Sequence, residues 1–470
     1  MKKRYLLLTL LVAAILLVPK LVSTKVTDAV NNVTSELSAI DGYNVEVVEF
    51  NEGWFNSDGV IKVTLDLAKL APDNDFDADK QMPQILLKLT STHGPVFFGP
   101  AAGIGMANWR LVYDGSNLRD VLSFDKNQPF YEFSSTYGFF GGGTLEDKIP
   151  AFTATSPESD GVLNFAGFSG EGSYSNDNFN YQGMLESLNA SGESGELNVE
   201  NMSLAVQSDS NFMQALEGTL KDSEVEFRIA STQFIETDNT TPAFMLQDLA
   251  LIISSDVNDE ETLLDMTQRF SVAKLKAQDY VISDFSFNYE FNHLSVPFFQ
   301  AYQELAKTMQ FASEDEVQMQ TMMFFQENAV TLLKAGPQLK ITDFSGTLPQ
   351  GQISITSDLQ LVGIEALPAE LTDPQFWVAH IAAQLDLNAD KDVATLIANG
   401  YMKNQLANNP QTAGMSPEEL EQIAVQQSPM IVDSLMQQGL LIEKEGKLSL
   451  SFSLKDSQAT LNGNPMPLPF

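Results

Sequence analysis

Apolar residues recur along this chain with changing period, and the changes mark out its elements. Tyr5 to Val18 carries no charge, and Leu21 and Val22 extend that run past Pro19 and Lys20. From Val22 to Ile40 the apolar positions Val22, Val26, Val30, Val33, Leu37 and Ile40 are spaced by three or four, which is one stripe of a helix. Asp41-Gly42 ends it. Strands are predicted next over Tyr43 to Phe50, Val60 to Leu67 and Ile85 to Thr92, the second alternating Ile61, Val63, Leu65 and Leu67 against Lys62, Thr64 and Asp66.

From Trp109 to about Phe298 the alternation persists. Runs such as Tyr131 to Tyr137, Gly161 to Phe168, Asn178 to Leu185, Glu196 to Val206, Val225 to Phe234, Phe244 to Ile253 and Lys274 to Phe291 are divided by Gly, Asn, Asp and Ser clusters, the pattern of an antiparallel meander. Phe285, Phe287, Tyr289 and Phe291 fall on one face, and burial against a facing layer accounts for them without a ligand.

Helical spacing returns at Val296 to Phe311. Ser313-Glu314-Asp315-Glu316 is a capping box that opens a further helix, stopped by Gly336-Pro337. Its stripe includes Met319, Met322 and Met323, a face that suits a core and also suits varied partners, with the core reading preferred. Strands are predicted over Lys340 to Leu348, Gln352 to Leu361 and Trp377 to Ala389, the last placing His380 on a polar side. Asp390 caps a helix to about Leu406, and Ser416-Pro417-Glu418-Glu419 opens one that Pro429 kinks and Gly439 ends. Leu448, Leu450, Phe452 and Leu454 alternate in a strand that returns after Lys455-Asp456-Ser457 as a hairpin, and Asn462-Gly463 makes the last turn.

The expected fold is α+β and mostly antiparallel β. It is an elongated, curved meander sheet with helices packed in its C-terminal half, preceded by an N-terminal membrane-anchor helix. Its expected divisions are residues 1–22 as anchor or signal segment, 23–40 as helical stalk, 41–298 as extended sheet, and 299–470 as helices and returning strands continuous with that sheet.

Lys2, Lys3 and Arg4 before the apolar run make it a targeting segment, either an uncleaved anchor or a cleaved signal peptide. Pro19-Lys20-Leu21-Val22-Ser23 matches a cleavage site poorly, which favours the anchor. The expected location is therefore the bacterial inner membrane, with a single pass and the body in the periplasm.

Charge narrows the partners. The chain has 62 acidic against 26 basic residues and a net charge of -36, so it repels phosphate backbones and no nucleic-acid partner is expected. It has no cysteine, which removes thiol catalysis, cysteine metal sites and a lipid-modified cysteine. Asp73 to Asp79 spaces its acids like a calcium loop, but Ala78 and Gln84 stand where such a loop needs Gly and Glu. No cofactor is expected. Gly167-Phe168-Ser169-Gly170-Glu171 lacks the last glycine of a nucleophile elbow, and His93, a candidate general base, reads rather as a turn residue hydrogen-bonded to backbone beside Gly94-Pro95.

Taken together, the basic apolar N-terminus, Gly53-Trp54-Phe55 with Ser57, His93-Gly94-Pro95, and the helix, strand and hairpin ending with Asn462-Gly463 resemble the YdgA-like family of bacterial envelope proteins of unknown function. Ser457 departs from the glycine expected in the final turn, which would loosen that hairpin. The resemblance implies an inner-membrane-associated protein, a homodimer among its implied states, and no settled activity. Three functions are carried forward. The first is binding of a lipid or envelope component along the sheet, and the second a scaffold for a protein partner using Met319, Met322 and Met323. The third is an unrecognised hydrolase using His93.

Overall fold

The computed structural model describes residues 18–28, 30–32, 34–35, 37–38, 42–66, 84–97, 103–156, 160–211, 214, 218–278, 280–309, 313–368, 370–409, 412 and 414–468. The chain divides into two compact units, the first built on residues up to Thr219 and the second on most of Leu220 to Phe470. Both are antiparallel β meanders, as the alternating pattern requires, and helices join the sheet mainly in the second.

In the first unit β1 (Tyr43–Glu52), β2 (Asn56–Leu65) and β3 (Gln84–His93) pair in sequence order. After the short pair β4 (Val96–Phe97) and β5 (Gly103–Ile104), β6 (Ala107–Tyr113) joins β3. The strands Tyr131–Tyr137, Gly143–Ile149, Phe168–Tyr174, Phe179–Gly192 and Gly195–Ser208 follow as successive neighbours. Period two puts Leu89, Leu111 and Phe133 in one cross-strand row, and Ser57, Ser91, Trp109, Ser135 and Leu145 in the next row on the same face. The opposite face carries Lys88, Arg110, Glu132 and Lys148, with Arg110 paired to Glu132.

Helical residues at 18–28, 30–32, 34–35 and 37–38 lie against β1. Val22 is buried, and Ser38 Oγ both donates to Val45 O at 2.8 Å and accepts from Val45 N at 3.1 Å, satisfying backbone groups of β1. The expected single-pass inner-membrane location with the body in the periplasm is not supported. Among the described residues no helix is long and apolar enough to cross a membrane. Residues 1–17, on which the anchor rests, lie outside the described residues, as does the calcium-like loop at 73–79.

In the second unit the strands Ser223–Glu236, Phe244–Val257, Leu263–Ala277, Tyr280–Ser295, Gln338–Leu348, Gly351–Leu361, Ile381–Ala389 and Lys447–Lys455 pair in order. The helices Val296–Met309 and Glu314–Lys334 interrupt that order between its middle strands. Both expected capping boxes are formed, at Ser313 with Glu316 and at Ser416 with Glu419. Buried side chains gather at two places. Leu264, Leu294 and Val296 form one cluster, and Ala398, Val432 and Leu448 form another where the helices Lys391–Ala407 and Pro417–Gln437 pack.

One expected strand begins later than its alternation suggests. Residues Pro374–His380 are helical, and the strand starts at Ile381. Asp373 accepts from Gln375 N and Pro374 occupies the first turn, so the capping chemistry overrides the alternation of Trp377 and Ala379. His380 Nδ1 meets Val362 O at 2.7 Å and Trp377 Nε1 donates to Leu371 O at 2.7 Å, which hold the short helix on the preceding loop.

Candidate functional site

The most developed apolar site lies in the second unit. Register places Phe227, Leu251, Phe270, Phe287, Phe344, Ile355, Leu387 and Leu450 in one row across consecutive strands. A parallel row runs Met266, Phe291, Leu339, Leu359, Ala383 and Leu454. The rings interlock edge to face, Phe344 lying 5.7 Å from Phe285 and 5.8 Å from Phe287. A facing layer was expected to bury this aromatic face, but Phe285, Phe287 and Tyr289 stay half-buried and Phe291 is 37% exposed.

The helices Lys391–Ala407 and Pro417–Gln437 cover this face at Ala389 and Leu448, and beside Phe291 the cover is Phe299 and Leu332 from the helices Val296–Met309 and Glu314–Lys334. There Phe299 and Leu332 enclose a groove of about 480 Å³ with Leu294, Leu339, Leu359 and Leu361. Its few polar groups are largely engaged with one another, Tyr289 OH donating to Gln268 at 2.7 Å and Gln338 Nε2 to Asp358 at 2.7 Å. An apolar concavity without a free charge suits a hydrocarbon chain.

The residues that carry the resemblance come together in the first unit. His93 N donates to Phe55 O at 2.7 Å, and Ser57 pairs with Ser91 across β2 and β3. His93 Nδ1 faces Trp54 O at 3.2 Å. A carbonyl can only accept, so Nδ1 carries the proton and Nε2 is left to accept from the Ser57 hydroxyl at 3.3 Å. Burial lowers the His93 pKa from its ordinary value, against the opposing effects of the Trp54 hydrogen bond and the Glu52 charge.

A serine beside an oriented imidazole has the donor arrangement of a nucleophile and base. Here Ser57 and His93 are each only 2% exposed, and the pair closes the turn. The helical segment fastens the same turn. Ser23, fully buried, donates to Gly53 O at 2.8 Å, while Glu52 takes the Lys20 ammonium and the Thr27 hydroxyl. Lys20, and then Ser23, lower the Glu52 pKa below the usual carboxylate value. These three helix residues carried no motif, and only the fold shows their role.

Gly53 and Gly94 are needed for close backbone approach, since a Cβ would stand 2.2 Å from Asn56 O or 1.7 Å from Gly105 O. Pro95 accepts from Gly105 N, and the Gly94-Pro95 peptide is cis. Trp54 and Phe55 turn outward, 48% and 47% exposed. Asn462 and Gly463 belong to the second unit and form its last hairpin turn, with φ of 51° and 79°. Asn462 also donates to Gly439 O at 2.8 Å, tying that turn to the end of a helix.

Over residues 1–469 the chain matches a family described as "Bacterial protein of unknown function (DUF945)". The chain belongs to this family. The DUF945 match is consistent with the resemblance carried by the Gly53, His93 and Asn462 motifs. No curated protein and no solved structure matches the chain. The last candidate, Met319, Met322 and Met323, lies on the outer side of the helix Glu314–Lys334 with exposures of 52, 57 and 51%, so these side chains are not core.

Proposed function

We propose that this protein binds a long-chain apolar molecule, such as a lipid acyl chain, in the groove between the sheet and the helices Val296–Met309 and Glu314–Lys334. The observation that carries this reading is the apolar lining of the 480 Å³ groove, opening onto sheet rows that remain half-exposed. A chain lying there removes Phe291 and Leu359 from water at a gain of about 25 cal/mol per Å² of apolar area. Native mass spectrometry of the purified chain is expected to show retained lipid, and a fluorescent fatty acid is expected to bind saturably. Leu359→Asp places a charge in the groove and should weaken binding by roughly tenfold or more, as charge burial costs several kcal/mol. Leu359 is 42% exposed, so the variant should still fold. Absence of saturable binding, or unchanged affinity in this variant, defeats the reading.

The exposure of Met319, Met322, Met323 and Phe325 supports a second reading, a protein partner seated on the outer side of the same helix. Crosslinking in cells should then recover one protein, and replacing the three methionines by Gln should abolish its capture with the fold intact. Capture that survives the replacement counts against it.

A further inference from the structure

Asp147 stands in an apolar row of the first unit. Register runs Phe50, Gly59, Leu89, Leu111, Phe133, Asp147, Gly170, Gly183 and Leu204 across the strands, so its carboxylate shares a face with aromatic and aliphatic side chains. Among the described residues no cationic side chain pairs with Asp147, and its neighbour Lys148 turns to the other face and bonds Glu146 at 3.1 Å. Tyr181 OH donates to Asp147 Oδ1 at 2.9 Å, lying over Gly170, and Tyr131 is close enough for the same carboxylate to raise its pKa after burial. Phe133 is directly opposite, and Phe168 lies over Gly183.

We propose that Asp147 and the aromatic rings around it form a binding site for an organic ammonium group carried on an apolar stem. A half-buried carboxylate without a counter-ion is costly, and an arriving ammonium offsets that cost. Aromatic faces attract the same cation through their quadrupole. Tyr181 already occupies Oδ1, so the two-pronged fork of a guanidinium is poorly matched, whereas a point charge needs one free oxygen. A hard metal ion would need several oxygens, and among the described residues no group of three or more acidic or imidazole side chains could hold one.

All the residues of this site belong to the first unit, and those of the apolar groove to the second. Calorimetry of the full chain with hexyltrimethylammonium should show one saturable site, with hexanol binding roughly tenfold more weakly or not at all. Asp147→Asn should weaken the ammonium by roughly tenfold. Glu146→Gln removes an equal charge from the opposite face and should leave binding unchanged, as should Leu359→Asp. Equal binding of hexanol, full affinity in Asp147→Asn, or a matching loss in Glu146→Gln overturns the proposal. If Asp147→Asn fails to fold, the carboxyl ¹³C titration of Asp147 in the unaltered chain decides. It should move to lower pH when the ammonium is present, and an unmoved titration overturns the site.

Discussion

Tyr181 reaches the carboxylate of Asp147 at 2.9 Å only because Gly170 lies beneath it, where any Cβ would stand 2.1 Å from both the phenol and Oδ1. Burial, then the hydrogen bond to Asp147, pushes the Tyr181 phenol above its ordinary value. Burial also raises the Asp147 pKa, with the Tyr181 hydrogen bond opposing it.

A carboxyl raised on folding makes the folded state the better proton binder. Stability therefore falls as pH rises from the ordinary value of 3.8 through the raised one. Without ligand, Asp147→Asn should unfold at a higher temperature than the unaltered chain at pH 7, by about 1–3 °C, a shift worth under about 1 kcal/mol at this size. The difference should vanish below the aspartate range. Thermal unfolding at pH 3 and pH 7 checks it, and an equal difference at both pH values would assign the effect to packing.

His93 titrates in the opposite sense. Its folded pKa is lowered by burial, so its contribution is fully present above 6.5 and is lost as pH falls from there toward the lowered value. His93→Ala should cost roughly 3 kcal/mol at pH 7.5, because it leaves a cavity and strands the Ser57 hydroxyl. Ser57→Ala should cost about 1 kcal/mol, and the double variant should cost less than the sum. Denaturant titration at pH 7.5 and 5.5 should show the unaltered chain losing more stability on acidification than either His93 variant.

Much of this fold was legible because local chemistry and tertiary structure agree. Ile61, Val63 and Leu65 alternate in a real strand, and Ser313 and Ser416 cap their helices as their spacing requires. At Asp373-Pro374 two local signals competed, and capping chemistry prevailed over alternation. The sites were less legible. The one-sidedness of Phe285, Phe287, Tyr289 and Phe291 follows from period two, but their cover depends on helices packed on the sheet, Phe299 and Leu332 beside Tyr289 and Phe291. Ser57 meets His93 only through the register of β2 on β3 across an intervening loop. Asp147 did leave a trace. Leu145, Asp147 and Ile149 alternate with Glu146 and Lys148, which places one carboxylate on the apolar face.

Gly94 offers a test of how tightly the Ser57 and His93 turn is built. Its N–H donates to Met106 O at 2.7 Å, and a Cβ would stand 1.7 Å from Gly105 O and 2.8 Å from Gly105 C. Backbone cannot yield as a flexible side chain can. Gly94→Ala should therefore destabilise the first unit by about 3 kcal/mol. Gly192→Ala meets nothing within 4 Å and should cost little by comparison. Hydrogen exchange should show the loss centred on β2, β3 and β6, and equal behaviour of the two variants would remove the argument.

The turn at Asp456-Ser457 gives the converse case. The glycine expected at 457 is absent, yet the hairpin is as tight as two residues permit, with Lys455 paired directly to Gln458. Register wins because Leu454 opposite Ala459 and Phe452 opposite Leu461 must keep their faces. The backbone meets this demand by holding Asp456 and Ser457 at φ of 49° and 61°, a left-handed region that costs side-chain-bearing residues roughly 1 kcal/mol or more. Glycine enters that region freely but loses more entropy on folding. Ser457→Gly should therefore stabilise the second unit by a net 0.5–1 kcal/mol or so. Ser457→Val, with a branched Cβ at the same φ, should destabilise it by more than that gain. Denaturant midpoints of the two variants against the unaltered chain test both directions, and a destabilising glycine would mean that Ser457 makes a compensating contact.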